Sequence, residues 1–243
     1  MPSRRRPVTL NADMGEGLGL HAFGSDAALM PLLDFANVAC GFHAGDPQVM
    51  AATVELARSA GTAVGSHPGL PDLSGFGRRR MALTPDEVEN LIVYQTGALT
   101  GYLRRAGLPL SHIKPHGALW GMLAEDDDLM RAAARAVRVF DVPFFGLAGT
   151  AHERICAEAD IEFVAELYVD MDYNPDGTLA LVRSAHLTDP AAAAQRVASA
   201  LAGEPIAAID GSPLTLRFDT VCIHSDAPNS VDVARSVRAV LAR

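Results

Sequence analysis

The chain has 243 residues, a length that suits one α/β barrel or a compact two-layer α/β domain. Its formal net charge of −9 argues against a nucleic-acid-binding role, because contact with phosphates requires a basic surface. Two arginine runs, Arg4–Arg6 and Arg78–Arg80, are local exceptions, and we expect the first to be a solvated tail.

Membrane and export signals are absent from the sequence. No apolar run reaches the ~18 residues that a membrane-spanning helix needs, and no apolar stretch of signal-peptide type follows the first arginine run. Cys40, Cys156 and Cys222 are odd in number and form no CxxC pair, which suits a reducing compartment. We therefore expect a cytoplasmic protein with no membrane partner.

Short apolar runs alternate with longer helical patterns along the chain. The runs predict strands at Val8–Ala12, Phe35–Cys40, Thr62–Ser66, Ser111–Lys114, Phe144–Leu147, Phe163–Leu167 and Thr220–His224. The patterns between them predict helices at Pro47–Ser59, Pro85–Arg105, Asp128–Phe140, Ala151–Ala159, Pro190–Leu201 and Val231–Ala242. This alternation predicts a parallel sheet with right-handed crossovers. We expect one α/β domain over residues 1–243, closed into a (β/α)7-type barrel.

A doubly wound open sheet is the second choice, but the glycine fingerprint that such sheets use for dinucleotides is absent. The run 14–19 after the first predicted strand has the glycines, yet Glu16 makes it too acidic to hold a pyrophosphate. The P-loop pattern is absent as well, and its lysine has no candidate other than Lys114. We do not expect this chain alone to bind ATP in either manner.

Polar side chains follow six of the seven predicted strands at the point where each strand ends. They include Asp13, Glu16, His43, Asp46, His67, Lys114, His116, Glu166, Asp170, His224 and Asp226. A single histidine in such a place is more often a packed or capping residue. The carboxyl ends of parallel barrel strands converge on one face, however, so their joint occurrence predicts one active site there.

Lys114 stands out by composition. Nineteen of the twenty basic residues are arginine, and Lys114 is the only lysine. A generic positive charge is supplied by arginine everywhere else in the chain, so this position favours a property that guanidinium lacks. The ammonium group is compact and can lose its proton when buried.

Histidine and aspartate are common metal ligands, so a metal site must also be considered. His112 and His116 have the spacing of a helical ligand pair, but their segment reads as a strand that ends in proline, so they would lie up to ~13 Å apart. They are not expected to share an ion. Asp13, His43 and His67 could instead converge from neighbouring strands on a divalent metal, and the sequence leaves this open.

Several collinear motifs resemble the LamB/YcsF family, from about residue 8 to the C-terminus. The resemblance is carried by Leu10-Asn11-Ala12-Asp13-Met14-Gly15-Glu16-Gly17, Ala36-Asn37-Val38-Ala39-Cys40-Gly41-Phe42-His43-Ala44-Gly45-Asp46-Pro47, Ser66-His67-Pro68-Gly69, Gly75-Phe76-Gly77-Arg78-Arg79 and His112-Ile113-Lys114-Pro115-His116-Gly117-Ala118-Leu119. It implies an ATP-dependent hydrolase that opens the lactam 5-oxo-L-proline to L-glutamate together with two further 5-oxoprolinase subunits. It also implies a (β/α)7 fold similar to that of polysaccharide deacetylases, with ATP supplied through the complex.

The match to the family pattern weakens around the sixth predicted strand. Met171 stands where the family pattern has an arginine, and a Pro-Gly-Ala stretch is missing between Arg183 and Asp189. The final His-Gly-Asp of the pattern reads His224-Ser225-Asp226 here. If the arginine binds a substrate carboxylate, this member would prefer another lactam or amide.

Amide hydrolysis needs an activated water, a stabiliser for the oxyanion and a proton for the leaving nitrogen. For this reaction we take Asp13 or Glu166 as the candidate base and Lys114 as the candidate oxyanion stabiliser. The candidate proton donors are His43, His67 and His116. Glu16, Asp46 and Asp226 would orient these groups or hold the substrate. Arg78, with the rest of the run Arg78–Arg80, would either close over a substrate carboxylate or belong to a solvated loop.

Two other functions are compatible with the sequence. One is a metal-dependent deacetylase or amidase that acts on an acylated sugar or amine. The other is a non-catalytic scaffold subunit that docks partners, although a scaffold has no need for polar residues at six strand ends.

Overall fold

A computed structural model describes residues 7–180 and 187–242, and within them seven parallel strands close into a barrel. Arg4–Arg6 lie outside the described residues, as do residues 183–186 of the segment that departs from the family pattern. The barrel strands are β1 (Thr9–Met14), β2 (Phe35–Ala39), β3 (Ala63–His67), β4 (Leu110–Ile113), β5 (Phe144–Gly146), β6 (Phe163–Tyr168) and β9 (Thr220–His224), whereas β7 (Ile206–Ala207) and β8 (Pro213–Leu214) form a separate antiparallel pair. The closed parallel barrel confirms the predicted fold class and excludes the open sheet.

The pairing of neighbouring strands places the polar residues at the strand ends side by side in the barrel. Strand β1 pairs with β2 so that Asp13 lies opposite Asn37, and it pairs with β9 so that Asp13 also lies opposite His224. On the next strand pair, His67 at the end of β3 lies opposite Ala39. Asp13 therefore has polar neighbours on both sides at the carboxyl end of the barrel.

Helices cover the outside of the barrel. They are α1 (Asp26–Leu29), α2 (Pro47–Ala60), α3 (Pro85–Ala106), α4 (Gly117–Glu125), α5 (Asp127–Phe140), α6 (Ala151–Glu158), α7 (Pro190–Leu201) and α8 (Ser230–Leu241). The six predicted helices are confirmed to within a few residues. No helix within the described part of the chain is long and apolar enough to cross a membrane.

Two helices, α1 and α4, were not predicted from the sequence. Helix α1 has only four residues, too few for a periodic pattern. Helix α4 buries nearly all of its side chains, from Ala118 to Leu123, and so has no polar face to give it a 3.6-residue period. Its first turn directly follows His116, which fixes that histidine at the helix N-terminus.

The barrel interior holds a polar network instead of layers of aliphatic side chains. Alternation along β1 sends Leu10, Ala12 and Met14 into the hydrophobic core, while Asn11 and Asp13 point the other way. The Asn37 amide donates to Oδ1 of Asn11 and to Oδ1 of Asp13, both at 2.8 Å. This network connects the middle of the barrel to its carboxyl end.

His152 in α6 should make the fold sensitive to acid. It is fully buried, its Nδ1 accepts from the Leu147 amide, and its Nε2 donates to the Trp120 carbonyl at 3.1 Å. Burial lowers its pKa to about 3. A histidine with a folded-state pKa below the unfolded value of ~6.5 takes up its proton on unfolding, so stability is complete above pH 6.5 and falls by about 1.4 kcal/mol per pH unit below it.

We expect a His152→Gln variant to lose about 2 kcal/mol less stability than the wild type between pH 6.5 and 4.5. Urea denaturation at several pH values measures this difference. His21→Gln is the matched control because His21 is exposed, and it should reproduce the wild-type slope. Equal slopes in the wild type and the His152 variant would contradict the assignment.

Candidate active site

A buried ion pair lies at the centre of the site. Lys114, 2 % exposed, directly follows β4, and its Nζ donates to Oδ1 of Asp13 at 2.8 Å. The same Nζ lies 3.3 Å from Oε1 of Glu166 and 2.9 Å from Sγ of Cys222. One ammonium group thus serves two carboxylates from β1 and β6, the strands on either side of β9.

The electrostatics keep this pair ionised. Burial opposes the charge of Lys114, but Asp13, Cys222 and Glu166 outweigh it and raise the pKa of the ammonium well above its ordinary value. Burial likewise opposes the charge of Asp13, but His67 and Lys114 hold the pKa of that carboxyl well below its ordinary value. Lys114 is therefore a fixed positive charge, as its candidate role of oxyanion stabiliser requires.

Three histidines lie next to this pair. Nε2 of His67 is 3.3 Å from Oδ2 of Asp13 and 2.9 Å from Nδ1 of His116. The ring of His43 stacks on that of His116, with centroids 3.8 Å apart. Oε1 of Glu16 completes the group at 3.7 Å from Nδ1 of His116 and 3.8 Å from Nε2 of His43.

Glu16, His43, His67 and His116 could hold a metal ion, because each offers one donor atom and these atoms lie within 4.8 Å of one another. The set differs from the one considered on sequence grounds, since Asp13 is not part of it and its Oδ1 accepts from Lys114 and Asn37. His112 is not part of it, as expected. Its Nε2 bonds Oδ1 of Asn37 at 2.6 Å, in the polar network of the barrel interior.

The protonation states of the two imidazoles in this group suit metal binding, whereas Glu16 would have to release a proton to bind an ion. Burial, with the neighbouring Asp13, raises the pKa of Glu16 well above its ordinary value. Burial also lowers the pKa values of His43 and His116 well below theirs. The two rings are therefore neutral, as imidazole ligands must be, and neither is a proton donor of the kind we expected from the sequence.

A second acid–base pair was not assigned from the sequence. Nδ1 of His224 lies 3.0 Å from Oδ1 of Asp170, and the His224 amide donates to Oδ2 at 2.7 Å. Burial opposes the imidazolium, but Asp170 stabilises it and raises the pKa of His224 to about 9. Both residues stand at strand ends in the sequence, but only the closure of β9 on β1 brings His224 Nε2 to 3.6 Å from Asp13.

These groups meet in a cavity of about 200 Å³, a volume below the ~300–1,000 Å³ typical of drug-sized ligands. Its polar lining residues are Asp13, His67, Arg78, Lys114, His116, Tyr168, Asp170, His224 and Asp226. Trp120, Met171 and Leu179 provide apolar walls. The cavity therefore combines several charges with a small apolar surface.

Arg78 and Asp226 pair across this cavity. The Arg78 guanidinium donates to Oδ2 of Asp226 at 2.7 Å and lies 4.9 Å from the ring centroid of Phe76. The rest of the arginine run points elsewhere, since Arg79 pairs with Asp72 and Arg80 with Glu125.

Nine of the ten residues predicted for the site line the cavity or lie beside it, and one does not. Asp13, His67, Arg78, Lys114, His116 and Asp226 line the cavity, whereas Glu16, His43 and Glu166 are buried beside it. Asp46 is elsewhere: its Oδ1 accepts from the Gln48 and Val49 amides as the N-terminal cap of α2, and its Oδ2 accepts from Gly19. A substrate-binding role for Asp46 is therefore wrong, because both carboxylate oxygens are engaged in the loop.

Tyr168 also lies at the site, although the sequence did not suggest it. Its hydroxyl donates to Oε2 of Glu166 at 2.7 Å, and its ring lies 5.4 Å from Nζ of Lys114. The other oxygen of Glu166, Oε1, accepts no hydrogen bond from the described residues and has Nζ of Lys114 at 3.3 Å as its ion-pair partner. No sequence signal distinguishes this tyrosine from a core residue of β6.

The closed parallel barrel, with ionised side chains at its carboxyl end, has the arrangement of α/β-barrel enzymes. The sequence model of the LamB/YcsF family matches residues 8–243, and the chain belongs to this family. Among its relatives, a 5-oxoprolinase subunit of Methylococcus capsulatus is 46 % identical over 241 residues, covering 98 % of this chain and 93 % of the relative. "Lactam utilization protein lamB" of Emericella nidulans is 40 % identical over 241 residues, covering 98 % and 95 %.

A solved structure agrees with this assignment. The lactam utilization protein from Thermus thermophilus superposes with a TM-score of 0.89 at 44 % identity, covering 98 % of this chain and 96 % of that one. A putative cellobiose-phosphate cleavage protein from Enterococcus faecalis shares the fold alone, with a TM-score of 0.53 at 12 % identity over 97 % and 90 % of the two chains.

Proposed function

We propose that this chain is the lactam-opening subunit of an ATP-dependent 5-oxoprolinase, which hydrolyses 5-oxo-L-proline to L-glutamate with two partner subunits in the cytoplasm. The names of its relatives support the reaction class, since proteins at 44–46 % identity over nearly the full length are named as 5-oxoprolinase subunits. The observation that carries the proposal is the ionised Asp13–Lys114 pair on the wall of a small cavity.

The pair supplies two of the three functions that lactam opening needs. The Lys114 ammonium is a fixed donor for the oxygen of the lactam carbonyl, where negative charge develops as water adds to the carbon. Asp13 is ionised and lines the cavity, so it would orient this water and accept its proton. Glu166, the other candidate base, does not line the cavity and instead stabilises Lys114.

The third function falls to His224. Breaking the ring C–N bond produces an amine that must gain a proton, and His224 with a pKa of about 9 is protonated at neutral pH. It lines the cavity, 3.6 Å from Asp13. His224 would thus donate to the leaving nitrogen, in place of the neutral His43 and His116.

Asp170→Asn should test this role through pH. Loss of the carboxylate removes the main stabiliser of the imidazolium, so the pKa of His224 should fall from about 9 towards its ordinary value of ~6.5. We expect the alkaline limb of kcat to move down by about two pH units. An alkaline limb at the wild-type pH in a folded, active variant would show that His224 does not supply the proton.

Arg78 is the candidate for the substrate carboxylate, since its guanidinium lies at the cavity beside Asp226. Met171 also lines the cavity, where the family pattern has an arginine. Arg78 alone would therefore hold the substrate carboxylate. Because the family arginine is replaced by Met171, other small lactams or amides are candidate substrates beside 5-oxo-L-proline. Comparison of kcat/KM for 5-oxo-L-proline and 2-pyrrolidone, which lacks the carboxylate, separates these substrates.

ATP would act through the partner subunits. The sequence of this chain carries neither a P-loop nor a dinucleotide fingerprint, so the isolated chain should neither bind nor hydrolyse ATP appreciably. Glutamate should appear from 5-oxo-L-proline only when both partners and ATP are present. Calorimetry of ATP with the isolated chain, beside a glutamate assay of the assembled complex, tests this. Tight ATP binding to the chain alone would count against the division of labour.

A metal-dependent amidase or deacetylase is the second candidate. It is favoured by Glu16, His43, His67 and His116, whose donor atoms lie within 4.8 Å of one another. Such an enzyme would cleave its amide without partners or ATP, and chelation would abolish the activity. Activity that needs ATP and both partners would exclude it.

A further inference from the structure

Two backbone carbonyls fix the protons on two histidines of the Glu16–His43–His67–His116 cluster. Nδ1 of His67 bonds the Lys114 carbonyl at 2.7 Å, and Nε2 of His116 bonds the Phe76 carbonyl at 2.8 Å. A carbonyl oxygen can only accept, so both of these ring nitrogens carry their protons. In neutral rings the lone pairs then lie on Nε2 of His67 and on Nδ1 of His116.

Those two nitrogens face each other at 2.9 Å. Two lone pairs at this separation repel, and no proton lies between them when both rings are neutral. The nearby His43 is buried, and neither of its ring nitrogens has a hydrogen-bond partner among residues 7–180 and 187–242. The cluster therefore presents lone pairs from three histidines with nothing on the described residues to bind them.

We propose that Glu16, His43, His67 and His116 bind one divalent transition-metal ion of the zinc type. Zn²⁺ with bonds of ~2.0–2.1 Å places tetrahedral donors about 3.3 Å apart, and the observed separations of 2.9, 3.7 and 3.8 Å bracket this value. Three imidazoles and one carboxylate favour Zn²⁺ and its first-row neighbours over Mg²⁺ or Ca²⁺.

The surroundings are those of a metal site. Metal-bound histidines usually donate their second N–H to a backbone carbonyl or a carboxylate, as His67 and His116 do here. The loop that contains Gly69 packs directly against the cluster, because a Cβ on Gly69 would lie 2.3 Å from Nδ1 of His43. His67 and His116 also line the cavity, so the ion would lie between the buried ligands and the proposed substrate.

A proton on Nε2 of His67 is the competing explanation. It would be donated to Asp13, 3.3 Å away, or to His116, and would make His67 a second buried cation beside Lys114. That arrangement leaves His43 without a partner, whereas a metal ion accounts for all three rings. The inference concerns binding only and holds whichever amide the cavity accepts.

Cobalt titration of the chelator-treated full-length chain tests the site. We expect one Co²⁺ per chain with the intense visible absorption of a tetrahedral complex, displaced by Zn²⁺, and about one equivalent of metal by mass spectrometry in protein purified without chelator. Metal at a hundredfold excess over its Kd should raise the melting temperature by roughly 5–10 °C.

His43→Ala is the sharpest variant because His43 does not line the cavity. Its Co²⁺ affinity should fall by at least about 100-fold, while His21→Ala, at an exposed histidine, should bind as the wild type. Absence of stoichiometric Co²⁺ or Zn²⁺ binding at micromolar concentrations in the wild type would overturn the inference, even if the His43 variant failed to fold. The binding assay involves neither 5-oxo-L-proline nor the partner subunits, so its failure would overturn the site and leave the proposed reaction intact.

Discussion

Lys114→Met should lower the turnover of lactam opening by at least about 100-fold in the assembled complex, the scale seen when an oxyanion stabiliser is lost. Methionine has a similar length but no charge, so the variant removes the ammonium from Asp13 and Glu166 without opening a large cavity. Steady-state glutamate formation measures the effect. Near wild-type turnover in a folded variant would show that Lys114 has no catalytic role.

The same substitution should destabilise the fold. It leaves Asp13 and Glu166 as buried carboxylates without their cation, which typically costs about 3–5 kcal/mol. Lys114→Met combined with Glu166→Gln removes one of these charges, so the double variant should recover part of the stability and none of the turnover. Chemical denaturation of both variants separates the structural cost from the catalytic one.

Lys114→Arg is a less conservative change than the sequence suggested. The sequence alone predicts that Lys114→Arg lowers turnover by ~10²-fold or more and leaves the fold intact, with a melting shift no larger than that of an ordinary surface substitution. Lys114 is 2 % exposed, however, and the wider guanidinium would overpack the barrel interior, which typically costs about 1–3 kcal/mol. The loss of turnover is still expected, but the melt alone no longer distinguishes structure from function at this position.

Asp13→Asn should lower turnover by about 10²–10⁴-fold, the range attributed to general acid–base groups. Asparagine can keep the hydrogen bond from Lys114, but it loses the charge that attracts Lys114, His67 and His224 and cannot take a proton from water. Glutamate formation by the assembled complex measures the loss of turnover.

Asp219→Asn is the matched control for this substitution. Asp219 precedes β9 at the opposite end of the barrel, where its carboxylate accepts from the Ala165 amide. Its variant should turn over within about twofold of the wild type, because surface substitutions cost little. Equal losses in the Asp13 and Asp219 variants would indicate a general effect on folding and would remove Asp13 from the mechanism.

The fold was predictable from the sequence because its signals are local. Apolar runs at regular intervals indicated the seven barrel strands, and capping residues such as Thr84 and Asp189 marked the helix starts. Helix α4 was not predicted because a helix that is buried on nearly all sides has no polar face. Asp46 shows the reverse difficulty, since a carboxylate at a strand end and a helix cap look alike in sequence.

The site was predictable in position and less so in detail. Lys114 was recognised by composition, but the sequence could not show that Asp13, Cys222 and Glu166 would surround its ammonium and keep it charged. The pairing of His224 with Asp170 depends on contacts between β6, β9 and β1, which no local pattern reveals. Long-range register decides which strand-end residues become partners.

A crystal structure of the assembled complex with 5-oxo-L-proline tests the central claim most directly. We predict the lactam in the cavity, with its carbonyl oxygen about 2.7–3.2 Å from Nζ of Lys114, its ring nitrogen towards His224 and its carboxylate at Arg78. A lactam bound in a partner subunit, or in this cavity with its carbonyl turned away from Lys114, would contradict the account.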